Sequence, residues 1–216
     1  MSLGVAPGLT LGMARSEGPV DRGELAGLFS VALGVMAAVA AVIVMIAVIL
    51  AATGTFTSVA DTLGATNPSD AAAALLCMVV LVAAQLVVVV PEGAQLGLQS
   101  QYVTNLWAGL GSAIAIGALI ALGGQATTIT AFILLAQLPQ LVTRALNGIV
   151  FTSRRAYLLR PPAGSLRRHL PMLLGSGAAF TGFAVASYVG MQLGLLVLAV
   201  AADAGQVALA AVIVRG

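Results

Sequence analysis

Glu24 to Ala52 reads ELAGLFSVALGVMAAVAAVIVMIAVILAA, and beyond its first residue only the hydroxyl of Ser30 interrupts the apolar run. A surface helix of a soluble domain turns a polar face to water, and this stretch has none to turn. It exceeds the ~20 residues that cross the hydrocarbon core of a bilayer, so it reads as a transmembrane helix. The remainder of the chain agrees. Of its 216 residues 60% are hydrophobic and 7% are charged, with a mean hydropathy of +1.09, whereas a soluble domain carries roughly 25% charged residues.

Upstream of the run lies a polar stretch with Arg15, Glu17, Asp21, Arg22 and Glu24. Before it, Met1 to Leu11 reads as half of a spanning helix rather than a cleavable signal peptide, because there is no basic n-region and Pro7 intrudes. Downstream, Thr53 to Asn67, with Gly54, Gly64 and then Pro68, reads as a loop. The second span is expected from about Asp70 to Val90, stopping near Pro91, Glu92 and Gly93. A polar interval with Gln95, Gln99, Gln101 and Asn105 leads into a third span, about 103 to 122, which Gly123 and Gly124 turn into a fourth, about 128 to 151. An arginine-rich connection with Pro161 and Pro162 precedes a fifth span, about 171 to 200, and residues 207 to 214 open a sixth. Backbone groups cannot stay unpaired in hydrocarbon, and the ~10-residue alternating segments of a barrel are missing. The fold class is therefore all-α, a polytopic transmembrane bundle of five complete spans with a partial helix at each end.

All nine cations are arginines, and six of them, Arg144, Arg154, Arg155, Arg160, Arg167 and Arg168, fall in one short stretch, while residues 53 to 69 have none. Cytoplasmic loops retain such an excess, so residues 152 to 169 are expected inside the cell and 53 to 69 outside, in an inner (cytoplasmic) membrane. Because these arginines adjoin spans, they read as topology signals and contacts for anionic membrane lipids, not as a nucleic-acid surface. Cys77 is the only cysteine, so neither an intrachain disulfide nor a cysteine metal cluster can form. No Walker loop, GxSxG or HExxH motif occurs, and no carboxylates pair at helical spacing inside an expected span, so no enzyme, cofactor or metal is expected. His169 reads as an ordinary interfacial residue.

Polar residues inside spans are costly and therefore informative. On the fourth span Gln137, Gln140, Arg144 and Asn147 recur at i, i+3, i+7 and i+10 and share one narrow face, with Thr130 continuing it. That face suits either interhelical hydrogen bonding or a hydrated substrate path. Pro139 interrupts the helix on another side and permits a bend there. Gly109, Ala113 and Gly117 form a small-xxx-small row expected to pack closely against a neighbour. Gln101, Asn105 and Ser112 share another face that would line the same cavity, Trp107 and Tyr102 read as interfacial anchors, and Glu92 reads as a solvated carboxylate at a helix end.

The segment Gly97-Leu-Gln-Ser-Gln-Tyr-Val-Thr-Asn-Leu-Trp-Ala-Gly-Leu-Gly-Ser112, the run Gln137-Leu-Pro-Gln-Leu-Val-Thr-Arg-Ala-Leu-Asn-Gly-Ile-Val-Phe151 with its following arginines, and the Asp21-Arg22-Gly-Glu24 stretch before Ser30 together resemble one family. It is the polysaccharide-exporter branch, the O-antigen or lipid-linked oligosaccharide flippases, of the multidrug/oligosaccharidyl-lipid/polysaccharide superfamily. The resemblance implies that residues 1 to 160 are N-terminal lobe helices (family helices 2 to 6). Residues 161 to 216 would be the inter-lobe cytoplasmic linker and the start of the second lobe (helices 7 and 8), so a partial gene product is expected. It implies alternating access for a lipid-linked saccharide, with association with glycan assembly proteins. Arg144, Gln140, Gln137, Asn147, Asn105 and Arg215 would bind substrate, the two arginines holding its diphosphate. Two other readings fit the same residues: a membrane scaffold or accessory subunit, and a drug exporter of the same superfamily. The latter would favour acidic cavity residues, whereas the charge expected well inside the spans is basic.

Overall fold

The computed structural model describes residues 5–15, 22–62, 67–125, 128–171 and 173. The described elements are helical: α1 (Val5–Arg15), α2 (Arg22–Ala52), α3 (Thr55–Thr62), α4 (Pro68–Gly97), α5 (Gln101–Leu122), α6 (Ile129–Arg154) and a last helix, α7, over 165–171. Short 3-10 turns follow α5 at Gly123–Gln125 and α6 at Ala156–Leu159. Four of these helices, α2, α4, α5 and α6, are long and apolar enough to cross a membrane. They leave large side chains such as Val42, Met45, Ile49, Val82, Leu106 and Ile120 exposed, which suits a surrounding of lipid tails and not of water. The chain is a multi-pass α-helical membrane protein. The fifth and sixth expected spans lie outside the described residues.

α4 is the hub: α1, α2, α3 and α6 all pack on it, while α5 packs chiefly on α6. The α2–α4 seam is apolar. Ala40, Ala47 and Ala83 are buried beside Met36, Leu81, Leu86 and Val90, and the alanines let two backbones approach where no hydrophobic drive separates helix from lipid. At one end Asn67 caps α4, its Oδ1 accepting from the Asp70 amide at 3.2 Å. Asp70 in turn accepts from the Ile129 amide at 2.8 Å and the Thr130 hydroxyl at 3.1 Å. A carboxylate thus sits at the positive end of α6, tying the starts of the two parallel helices together.

The opposite end is rich in arginine. There Leu158 is fully buried, and Ser30 donates from Oγ to its carbonyl at 2.9 Å. α7 follows Gly164, whose φ of +81° suits glycine, and folds back so that His169 and Ser165 press on Gly27 of α2. Leu173 joins the same core as Leu9, Met13, Phe29 and Phe151. His169 is 3% exposed, a buried wedge and not an ordinary interfacial side chain. Burial is the main cause holding its pKa below the usual 6.5; Arg168 acts in the same direction and Glu24 opposes.

Two boundaries and one packing face differ from the sequence reading. Residues 53 to 69 contain α3, which Gly54, at φ +72°, sets at an angle after α2 and which buries Ala60. Its threonines and Val59 are weak helix formers, so contact with α4 decides its state, not propensity. α4 does not stop near Pro91 but runs seven residues beyond Val90 to Gly97. Proline forfeits one backbone bond there, yet its ring is seated against Gly148, where an added Cβ would meet the ring at 3.1 Å. On α5 the row Gly109, Ala113 and Gly117 is not the packing face. A Cβ added at Gly109 or Gly117 would meet nothing within 4 Å, and the buried small residues are Gly111 and Ala115, on the opposite face.

Candidate functional site

Because α4 continues past Pro91, Glu92 and Gln95 stand three residues apart on one helical face instead of in a loop. On α6 Arg144 and Asn147 have the same spacing. α4 and α6 run parallel, so two such pairs meet in register. Arg144 Nε lies 3.6 Å from Glu92 Oε1, and Asn147 Nδ2 donates to Gln95 Oε1 at 3.4 Å. Thr104 of α5 donates to the same oxygen at 3.0 Å. Ser100 donates from Oγ to the Gln95 carbonyl at 3.0 Å, which fixes the turn between α4 and α5. Gln95 and Asn147 are 1% and 2% exposed.

The cluster is incomplete in its hydrogen bonds. Glu92 Oε1, Arg144 Nε and Gln95 Nε2 are buried and find no hydrogen-bond partner among the described residues. At 3.6 Å the charges of Glu92 and Arg144 offset one another without a hydrogen bond between those atoms. Glu92 is therefore not a solvated carboxylate at a helix end. It lies against Arg144 and offsets its charge.

Of the residues expected to bind substrate, Arg144, Gln140 and Asn147 lie along the α6 face at this cluster. Arg144 and Gln140 are half-buried and Asn147 is buried, while Gln137 farther along is exposed. Gln140 reaches only the carbonyl of Ala136 in its own helix, at 3.5 Å. Asn105 stands on the exposed face of α5, as do Gln101 and Ser112, and its neighbour Thr104 reaches the cluster instead. Arg215 lies outside the described residues. Sequence reasoning missed Glu92, Gln95, Thr104 and Thr143 as members. Thr143, 5% exposed, bonds back to its own helix and packs where Gly111 leaves room. The signal for the first two was present, since Glu92 and Gln95 have helical spacing; treating Pro91 as a stop hid it. α6 itself runs through Pro139 as one helix.

No family model, curated protein or solved structure matches this chain.

Proposed function

We propose that the protein is a membrane transporter that moves a lipid-linked saccharide across the bilayer by alternating access, with its arginine-rich end in the cytoplasm. The observation that carries this reading is the polar track along α6. It begins at buried Asn147, passes half-buried Arg144 and Gln140 and reaches exposed Gln137, all within a helix long and apolar enough to span the membrane. A glutamine amide facing lipid tails has no hydrogen-bond partner, so such a face belongs against water or protein. A wet track can pass a sugar while the lipid tails stay in the bilayer, and a paired Glu92–Arg144 can separate and re-form as the helices move. The residual charge of this track is small because Glu92 offsets Arg144, so recognition falls to amides more than to a bare cation. A scaffold reading is favoured by one observation, the internal Gln95–Asn147 bond, which is what helix glue would look like.

Both readings meet one experiment. The full chain is reconstituted in vesicles and the translocation of a fluorescent lipid diphosphate disaccharide is followed by quenching from outside. Transport is expected, with Gln137→Leu/Gln140→Leu reducing its rate at least about tenfold while the protein remains folded. No translocation by folded wild-type protein, or an unchanged rate in the double variant, would give the case to the scaffold.

A further inference from the structure

At the arginine-rich end a cavity of about 140 Å³ opens between the end of α4, the start of α5 and the end of α6, lined by Gln95, Ser100, Tyr102, Asn147, Arg154 and Arg155 together with apolar side chains. Among the described residues, its charged lining is the two arginines alone. Three independent features there point to one ligand chemistry. α5 begins at this cavity without a side-chain cap, the Ser100 hydroxyl donating instead to the Gln95 carbonyl; the positive end of a spanning helix is left open. Gln95, 1% exposed, uses its Oε1 twice, for Thr104 and Asn147, while its Nε2 donor has no acceptor. The Arg155 guanidinium is held over the Phe151 ring at 4.7 Å, on the cavity wall, and Arg154 stands exposed at the same helix end.

An uncapped helix start, an orphan amide donor and two guanidinium groups are all donors, and a group that satisfies them together carries several oxygens and negative charge. We infer that this cavity binds a phosphoryl group, carried by the headgroup of a lipid in the arginine-rich leaflet. Depth favours the lipid source. The site lies where α4 has ended and α5 has only begun, the level at which headgroup phosphates sit, and Tyr102 at its rim is 74% exposed, as suits an interfacial aromatic. The volume admits a phosphate and not a saccharide, so this is a holding site for headgroups, which meets the polar track on α6 at Asn147 and extends from there toward the arginine-rich end. It needs the membrane placement of the bundle and does not depend on transport.

Calorimetric titration of the full chain in non-ionic detergent tests it with three probes: dihexanoyl phosphatidic acid, inorganic phosphate and dihexanoylglycerol. Saturable binding of the phosphatidic acid is expected, weakened at least about tenfold by Arg154→Gln/Arg155→Gln and less than about twofold by Arg160→Gln/Arg167→Gln, which removes the same charge from outside the cavity. Gln95→Glu keeps acceptors for Thr104 and Asn147 but sets a negative charge at the site, and should abolish binding; should that variant fail to fold, the arginine pairs still decide. Inorganic phosphate binding as tightly as the phosphatidic acid would make the free anion the ligand of the same site, and its failure to bind would assign the lipid. Phosphatidic acid binding no tighter than dihexanoylglycerol, or equal losses from the two arginine pairs, would overturn the proposal.

Discussion

α4 meets α2 along one side and α6 along another, and the two seams are built from different materials. Against α2 it buries alanines, Leu81, Leu86 and Val90, with no polar side chain among the buried residues of that contact. Against α6 it presents Pro91 to Gly148, Glu92 to Arg144 and Gln95 to Asn147. In water the first seam would be the strong one, since apolar area leaving water is the main drive. In a bilayer that drive is absent between helices, because lipid tails are as apolar as leucine. Close approach and polar pairing then decide which faces meet. The apolar seam can tolerate rearrangement among similar side chains, while the polar seam fixes one register. Hydrophobicity says that these helices cross the membrane; the polar seam says how they are arranged.

The largest effect should follow from breaking the polar seam on one side only. Arg144→Gln leaves Glu92 as an uncompensated charge in a span, and Glu92→Gln does the same to Arg144. Losing one partner of a buried pair costs about 3–5 kcal/mol. The side chains of Arg144 and Glu92 are 36% and 15% exposed, so water reaches the arginine and about 2–3 kcal/mol is the fitting expectation. The double change Glu92→Gln/Arg144→Gln should lie within about 1 kcal/mol of wild type, since no charge is then stranded. Unfolding in mixed detergent micelles reads all four proteins. Additive losses in the double variant would show that the two charges do not compensate one another.

A smaller effect is expected from steric change at the neighbouring seam between α5 and α6. Gly111 faces Thr143 and the backbone of Gln140 so closely that any Cβ would collide. Gly111→Leu should therefore push the helices apart, costing about 1–3 kcal/mol. Gly109→Leu and Gly117→Leu, with open space around each, should change stability by less than about 0.5 kcal/mol. The reverse ranking would mean that α5 packs by the other face.

That pair of rows also shows what could be read in advance. The cores of the four described spans were legible because ~20 apolar residues in a row admit few other structures. Small residues occur on two opposite faces of α5, and nothing local to α5 chooses between them; Thr143 and Gln140, on another helix, make the choice. The α6 stripe was legible from its spacing alone, and Asn147 and Arg144 do lie at the cluster. Its partner row on α4 was not. Pro91 is a helix breaker by its own chemistry, and only the glycine at position 148 of a distant segment makes its ring welcome. Losing the helix at Pro91 also lost the counter-charge, and with it the reason that Arg144 is tolerated in a span.

The smallest expected effect tests a third contact, at the arginine-rich end of the bundle. α7 packs on the start of α2 through His169, 3% exposed, and an added Cβ at Gly27 would meet its Nε2 at 2.7 Å. The nearby pair of Arg168 with Glu24, at 3.4 Å, is exposed and should contribute little. Burial holds the imidazole pKa below 6.5, so the packed state binds fewer protons than the open one in the interval between the two pKa values. The contribution of this contact is complete above about pH 6.5 and is lost as pH falls through the folded pKa. Residues 165 to 171 should accordingly exchange their amide protons faster at pH 5.5 than at pH 7.5, after correction for intrinsic rates, while α4 is unchanged. His169→Gln should remove that pH dependence, and Gly27→Ala should open the contact at both pH values by displacing the ring. Equal protection of the segment at the two pH values in the wild type would show that His169 does not hold α7 in place, and that the apolar contacts of Leu170 and Leu173 with the core suffice.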